Sequence, residues 1–325
     1  MPTSKLKSLP EPASPLRRLS DDELTAYAQD GAICARGILD PETIDRMREG
    51  LGEVIGQDSV LGRDGTLDRA NKGFYGDIFV WKLHDSFRDL ALFSALPALA
   101  QQVLGSERVN FFYEQFFVKL AGSPVETPWH QDIPFWPVSG DQIVSFWITL
   151  DPVDRESSGL EFVRGSHNWD QRYQAITPNY DAYMMDTDLP PSPDFAQQRD
   201  EVELLGWDME PGDVLIFGPV VCHGSAANAS KSQDRRALAF RYSGDDVVFA
   251  PRHATMPLLW EHGLEAGDPL GGSLFPQVWP HVLESEIARR WEGPEPPSPK
   301  AVGEFMEHLK ETGFGPKGEK RSIFN

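Results

Sequence analysis

The sequence predicts a mainly β protein with helical decoration, an antiparallel sandwich or jelly roll in class. Three observations carry the prediction. From Val109 onward the apolar residues alternate as strands do; the strand-like runs are short and bounded by Gly, Pro, Asp and Ser clusters; and no long helix intervenes to return the chain for parallel pairing.

Residues 1–19, "MPTSKLKSLPEPASPLRRL", read as a flexible arm, polar and proline-rich, without the apolar block of a secretory signal. In "LSDDELTAYAQDG", Ser20 is an N-cap, acidic residues fill the first turn and Gly31 is a stop, which predicts a helix from Asp21 to Asp30. "AICARGIL" reads as a strand. "DPETIDRMREGLGEVI" reads as a second helix, capped by Asp40 with Pro41 at its first position. Helical spacing resumes from Asp85 to Leu104, with an expected interruption at Pro97. Strands are then expected in "VNFFYEQFFVKL", "QIVSFWITLD", "LEFV", "DVLIFGPVVCHGS" and "RALAFRYS". Residues 167–204 are polar, proline-bearing and aperiodic, the mark of a functional insertion or lid. The single domain expected over 20–251 is followed by a C-terminal extension, 252–325, with a helix in "LESEIARRW".

Composition bounds the function. With 325 residues, 40 % of them hydrophobic, the chain can build a sizeable core, and it holds no apolar run of about 18 residues that would span a membrane. Fifty Asp and Glu against 30 Lys and Arg, a net charge of −20, make nucleic acid a poor partner and weigh against a bulky polyanion such as an acyl-CoA. The two cysteines, Cys34 and Cys222, form neither a disulfide framework nor a CxxC metal site, so a reducing, cytoplasmic setting is expected.

"TPWHQDIPFWP" (127–137) places His130 and Asp132 two apart. In an extended segment such residues share a face, so both reach one point while Gln131 looks the other way. Alone, the pair is weak evidence and reads more readily as a surface pair or a buried histidine satisfied by aspartate. His223, in "PGDVLIFGPVVCHGSAANAS", ends a buried strand beside Gly224 and is placed to point into a barrel. Two histidines and one carboxylate bind non-haem Fe(II) on one face and leave the others open, although zinc hydrolases use the same set. Arg235 opens the strand "RRALAFRYS"; a guanidinium presenting two donors is a natural anchor for the far carboxylate of a dicarboxylate.

Five ordered blocks, "WHQD" (129–132), "VSFWITLD" (144–151), "SSGLEFVRGSH" (157–167), "PGDVLIF" (211–217) and "HGSAANAS…RRAL" (223–238), resemble the phytanoyl-CoA dioxygenase family of Fe(II)/2-oxoglutarate-dependent oxygenases. The resemblance runs from about Leu19 to Pro251. It implies a double-stranded β-helix, the cupin-like jelly roll. It also implies iron bound by His130, Asp132 and His223, 2-oxoglutarate and O2 as cosubstrates, and hydroxylation with release of succinate and CO2.

By the same resemblance Arg235 pairs with the C5 carboxylate of 2-oxoglutarate. The family spaces histidine and arginine one residue closer, which keeps Arg236 as the alternative, although alternation turns it to the opposite face. Lys82, Gln115, Trp147 and Ser225 stand at positions that resemble cosubstrate-contacting ones. An aspartate at 132, where related halogenases leave a small residue, argues against halogenation. Arg164, where the family often has proline, faces either the site or solvent, and His167 reads as a turn or surface histidine.

Phe135, Trp136, Tyr75, Phe79, Trp81 and Tyr113 offer aromatic surface for an apolar or ring-bearing small-molecule substrate. Two enzyme readings compete, a zinc or manganese jelly-roll hydrolase or isomerase with no need of Arg235, and an acyl-CoA hydroxylase of the same family. A non-catalytic relative is expected to have lost a ligand.

Overall fold

The computed structural model describes residues 13–55, 73–175, 189–252, 255–256, 258–281 and 293–311. Helix α1 (Asp21–Asp30) forms where its signals stand: Ser20 Oγ accepts from Glu23 N, the Glu23 carboxylate accepts from Ser20 N, and Gly31 closes the helix at φ 83°. Helix α2 (Pro41–Val54) starts on Asp40, whose carboxylate accepts from Thr43 N, and buries Ile44, Met47, Leu51 and Val54. The stretch expected as one interrupted helix is two, α3 (Asp85–Phe93) and α4 (Leu96–Leu104). The break falls at extended Ser94, ahead of Pro97, because a proline in the first turn of α4 lacks only an N–H that had no partner there.

The strands are β1 (Ala32–Ala35), β2 (Phe74–Ile78), β3 (Val109–Lys119), β4 (Thr127–His130), β5 (Val138–Ser139), β6 (Ile143–Thr149) and β7 (Glu161–Val163). They continue with β8 (Leu204–Gly206), β9 (Val214–Phe217), β10 (His223–Ser225), β11 (Arg235–Ser243), β12 (Val248–Phe249) and β13 (Gln277–Trp279). The larger sheet runs β1-β9-β6-β11-β3, and the free edge of β3 is shared by β2 and β13. The smaller sheet runs β4-β10-β7-β8, and β5 pairs with β12. All pairings between these strands are antiparallel, giving the jelly roll the sequence predicts.

Strand alternation separates the two faces of the larger sheet. Val144, Phe146 and Ile148 of β6, Val214 and Ile216 of β9, and Leu238, Phe240 and Tyr242 of β11 face outward into a core shared with Ile44, Met47 and Leu51 of α2 and with α3 and α4. Trp147, Leu215, Phe217, Ala237 and Ala239 face inward, toward Leu160 and Phe162 beside and on the smaller sheet. Each fully buried large side chain contributes about 1.5–3 kcal/mol, so the helix-covered face is the stabilising one. The inner face is left free to hold a site.

The chain ends join this frame. Within the expected arm, residues 13–19 are held in place: Leu19 is buried, Ala13 N donates to Phe93 O, and Arg17 forks onto Glu23. In the C-terminal extension, Trp260, Leu274 and Phe275 enter the large core, β13 pairs with β3, and helix α5 (Pro299–Glu311) follows. The helix expected in "LESEIARRW" lies outside the described residues. In the 167–204 stretch, Trp169, Tyr173 and Phe195 pack against Trp129 of β4. Among the described residues no helix is long and apolar enough to cross a membrane.

Candidate active site

His130 ends β4 and His223 begins β10, and the register pairs them directly across the smaller sheet. Their ring centroids are 4.2 Å apart. Each ring is fixed through Nδ1: His130 Nδ1 lies 2.7 Å from Pro128 O and His223 Nδ1 lies 3.1 Å from Val221 O. A carbonyl only accepts, so Nδ1 carries the proton and both Nε2 atoms present bare lone pairs.

Asp132 joins them by a different route from the one expected. β4 stops at His130, and Asp132 has helical backbone angles (φ −75°, ψ −38°) as the cap of a short 3-10 turn, Ile133–Phe135. The turn, fastened by Ile133 N donating to Pro219 O at 3.0 Å, swings the carboxylate toward the histidines where a strand pleat would not be needed. Asp132 Oδ1 lies 3.4 Å from His130 Nε2 and 3.9 Å from His223 Nε2. Two ligands of one ion at bonds of about 2.1 Å stand at most about 4.2 Å apart, so these spacings suit one metal. All three ligand atoms lie within 4.8 Å of one another.

The electrostatics suit ligation. Burial and the neighbouring His130 push the His223 imidazole down to about 4, so it is neutral at pH 7. Burial raises the Asp132 carboxyl, but the adjoining His130 imidazole and the Arg241 guanidinium outweigh it and hold the group below the usual carboxylate range. Asp132 Oδ2, fully buried, has no hydrogen-bond partner among the described residues.

These side chains open on a cavity of about 120 Å³ between the sheets. Tyr113, Gln115 and Phe117 of β3 line it from alternate positions, joined by Trp147 of β6 and by Arg235, Ala239 and Arg241 of β11. Arg235 is 2 % exposed, lies over the Trp147 ring at 5.7 Å, and makes no hydrogen bond to a described residue. Burial lowers its guanidinium to about 10, still cationic at pH 7. Arg236 points the other way, its guanidinium forked onto Asp151 at 2.6 and 3.0 Å.

Of the weaker candidates, Gln115 and Trp147 line the cavity. Lys82 and Ser225 do not. Lys82 lies in a short turn with its ammonium held by Glu295 and over the Trp81 ring, because the C-terminal segment crosses there. Ser225 Oγ accepts from buried Lys119 at 3.0 Å, since one residue beyond Gly224 the strand turns it away from the cavity toward Ser158. Among the aromatics Tyr113 and Phe135 line the cavity, whereas Tyr75, Phe79, Trp81 and Trp136 are core. Arg164 faces solvent, paired with Asp30 and Glu203, and His167 meets Ala28 O. Gln131, expected to look away, lines the cavity and donates to Val220 O and Gln171 O.

Sequence reasoning overlooked Arg241 and, among the apolar lining residues, Phe74, Phe117, Leu160 and Phe217. Alternation from Arg235 along β11 would have found Arg241, six residues on and on the same face. Phe74 carries no such signal.

The profile of the phytanoyl-CoA dioxygenase (PhyH) family matches residues 27–237, most of the chain. The chain belongs to this family. As a phytanoyl-CoA dioxygenase family member it is 30 % identical over 219 residues to the 1-deoxypentalenic acid 11-beta-hydroxylase of Streptomyces arenae, covering 63 % of this chain and 73 % of that one. It is 23 % identical over 248 residues to the multifunctional dioxygenase prhA of Penicillium brasilianum, covering 72 % and 74 %.

Among solved structures, the epimerase SnoN from nogalamycin biosynthesis, in complex with Fe3+, alpha ketoglutarate and nogalamycin RO, superposes with a TM-score of 0.62 at 18 % identity over 79 % of this chain and 98 % of that one. EctD from S. alaskensis, with 2-oxoglutarate and 5-hydroxyectoine, gives 0.57 at 18 % identity over 78 % and 86 %. These two likenesses establish the shared fold. Family membership makes the protein a dioxygenase.

Proposed function

We propose that this protein is an Fe(II)- and 2-oxoglutarate-dependent dioxygenase that hydroxylates an aliphatic C–H bond of a small, largely apolar molecule, releasing succinate and CO2. The observation that carries the reading is the meeting of His130 Nε2, His223 Nε2 and Asp132 Oδ1 at the wall of a cavity whose other end holds buried Arg235 with its donors free. A hydrolase or isomerase has no use for that second feature. The donor set suits ferrous iron, and Asp132 occupies the position a halide would need.

Iron and 2-oxoglutarate, when bound, supply dioxygen activation and the oxidation of the C–H bond. The chain does the rest. His130 and His223 hold their rings through Nδ1–H bonds to backbone carbonyls, which fixes Nε2 toward the ion. Asp132 stays ionised across the working range of pH. Arg235, with Trp147 against its guanidinium and Gln115 nearby, would hold the far carboxylate of the cosubstrate. Phe74, Phe117, Phe135, Leu160 and Phe217 exclude water and receive an apolar substrate. A relative whose name is that of a hydroxylase of 1-deoxypentalenic acid supports a substrate of this kind.

In this reading residues 20–251 form the catalytic domain and 167–204 its lid. Tyr173 N donating to Gln131 ties that lid to the metal-binding turn. Free Cys34 and Cys222 support a cytoplasmic setting.

Anaerobic titration of the protein with Fe(II) and then 2-oxoglutarate tests the proposal through the visible metal-to-ligand charge-transfer band. The band is expected in the wild type and lost in His130→Ala. Its absence from the wild type, or its persistence in the variant with unchanged affinity, would sink the assignment.

A further inference from the structure

Arg241 plays no part in the reading above, yet it stands beside the metal ligands. It is 4 % exposed, lines the cavity, and its Nε lies 3.8 Å from Asp132 Oδ2. Its guanidinium is packed on the Tyr113 ring at 4.5 Å and against Trp136 at 5.5 Å. Nε and Nη1 find no hydrogen-bond partner among the described residues, and no other part of the side chain makes one. A buried guanidinium with open donors is unsatisfied until an oxyanion reaches it.

Its placement separates it from the cosubstrate anchor. Arg235 and Arg241 open and nearly close the inner face of β11, six residues and therefore about 20 Å apart along the strand, with small Ala237 and Ala239 between them. Arg235 stacks on Trp147 at one end, and Arg241 adjoins Asp132 at the other. At Arg241 the register with β3 shifts, pairing Arg241 with Tyr113 and Tyr242 with Phe111. The pair at the border of this shift, Arg241 and Tyr113, faces the cavity.

Charge points to what Arg241 meets. Ferrous ion and dianionic 2-oxoglutarate would cancel, Asp132 and Arg235 cancel, and a histidine that ligates a metal does so as neutral imidazole. One positive charge, Arg241, is left over in a buried site.

We propose that Arg241 is the recognition residue for a carboxylate on the primary substrate, which is therefore an apolar carboxylic acid oxidised on its hydrocarbon part. The proposal rests on the iron and 2-oxoglutarate reading and names its substrate class. Phe135 and Phe74 then receive the hydrocarbon body while Arg241 and Tyr113 hold its charged end.

The test uses full-length protein loaded anaerobically with Fe(II) and 2-oxoglutarate, the charge-transfer band confirming the loaded site. Linear, monocyclic and polycyclic apolar carboxylates, each paired with its methyl ester, are titrated and binding is read by calorimetry and by perturbation of the band. At least one acid is expected to bind tenfold or more tightly than its ester in the wild type. The preference should fall to within threefold in Arg241→Gln and be partly kept in Arg241→Lys, with the band as the check that each variant is folded. The proposal is overturned if no acid is preferred over its ester, or if the preference survives Arg241→Gln. It is equally overturned if Arg241→Gln weakens 2-oxoglutarate rather than the acid, which would assign Arg241 to the cosubstrate's 1-carboxylate. Absence of the band itself would refute the underlying reading instead.

Discussion

Arg235 and Arg236 are consecutive on β11, and the pleat sends one into the cavity and the other onto Asp151 at the surface. A bidentate charge-assisted contact is worth about 3 kcal/mol, or roughly a hundredfold in affinity. Arg235→Ala should therefore raise the 2-oxoglutarate concentration for half-maximal charge-transfer absorption on the order of 100-fold, and Arg236→Ala should leave it within about threefold. Equal effects would show that the wrong arginine has been given the role. Asp132 teaches the complementary point at this scale. Its two oxygens have separate tasks, Oδ1 toward the histidines and Oδ2 toward Arg241, so an asparagine would keep the shape but lose the charge that both neighbours use.

At the scale of the element, β11 is the spine of the site. Its outward residues Leu238, Phe240 and Tyr242 anchor it in the helix-covered core, while Arg235, Ala239 and Arg241 line the cavity. That division lets the inner face vary without loosening the strand. Ala239→Leu adds volume between the two arginines, where the backbone partners are Gln115 and Trp147. Succinate formation from 2-oxoglutarate should drop more than about tenfold, with a stability cost of about 1–3 kcal/mol for the added bulk. Unchanged turnover would mean that the reaction takes place elsewhere.

At the scale of the molecule, two sheets that among the described residues share no hydrogen-bonded strand each contribute part of the candidate site. The histidines come from the smaller sheet and the arginines from the larger. A ligand that bridges them binds only the folded chain, and at a hundred times its Kd it stabilises by about 2.7 kcal/mol. Thermal unfolding under anaerobic conditions should shift upward by several degrees with Fe(II) and 2-oxoglutarate together. A chelator should reverse the shift, and His130→Ala should abolish it. A wild-type melting temperature indifferent to both ligands would contradict a bridging site.

The sequence alone determined the local signals and the chemistry of the donors. Ser20, Gly31 and Asp40 mark helix ends because capping is a contact between near neighbours, and the strands of the jelly roll follow from a two-residue period. His130, Asp132, His223 and Arg235 stood out as candidates because ligand chemistry restricts the residue types, and the resemblance of five ordered blocks to the family joined them into a set. What only the tertiary structure decided is where side chains meet. Asp132 reaches the histidines by a helical turn rather than a strand pleat, Lys82 is drawn away by Glu295 more than two hundred positions along the chain, and Ser225 is taken up by Lys119. Arg241 became visible as a buried guanidinium with open hydrogen-bond donors only once Asp132, Tyr113 and Trp136 were seen around it. Burial and pairing are sums over contacts between distant segments, and a period or a motif records one segment at a time.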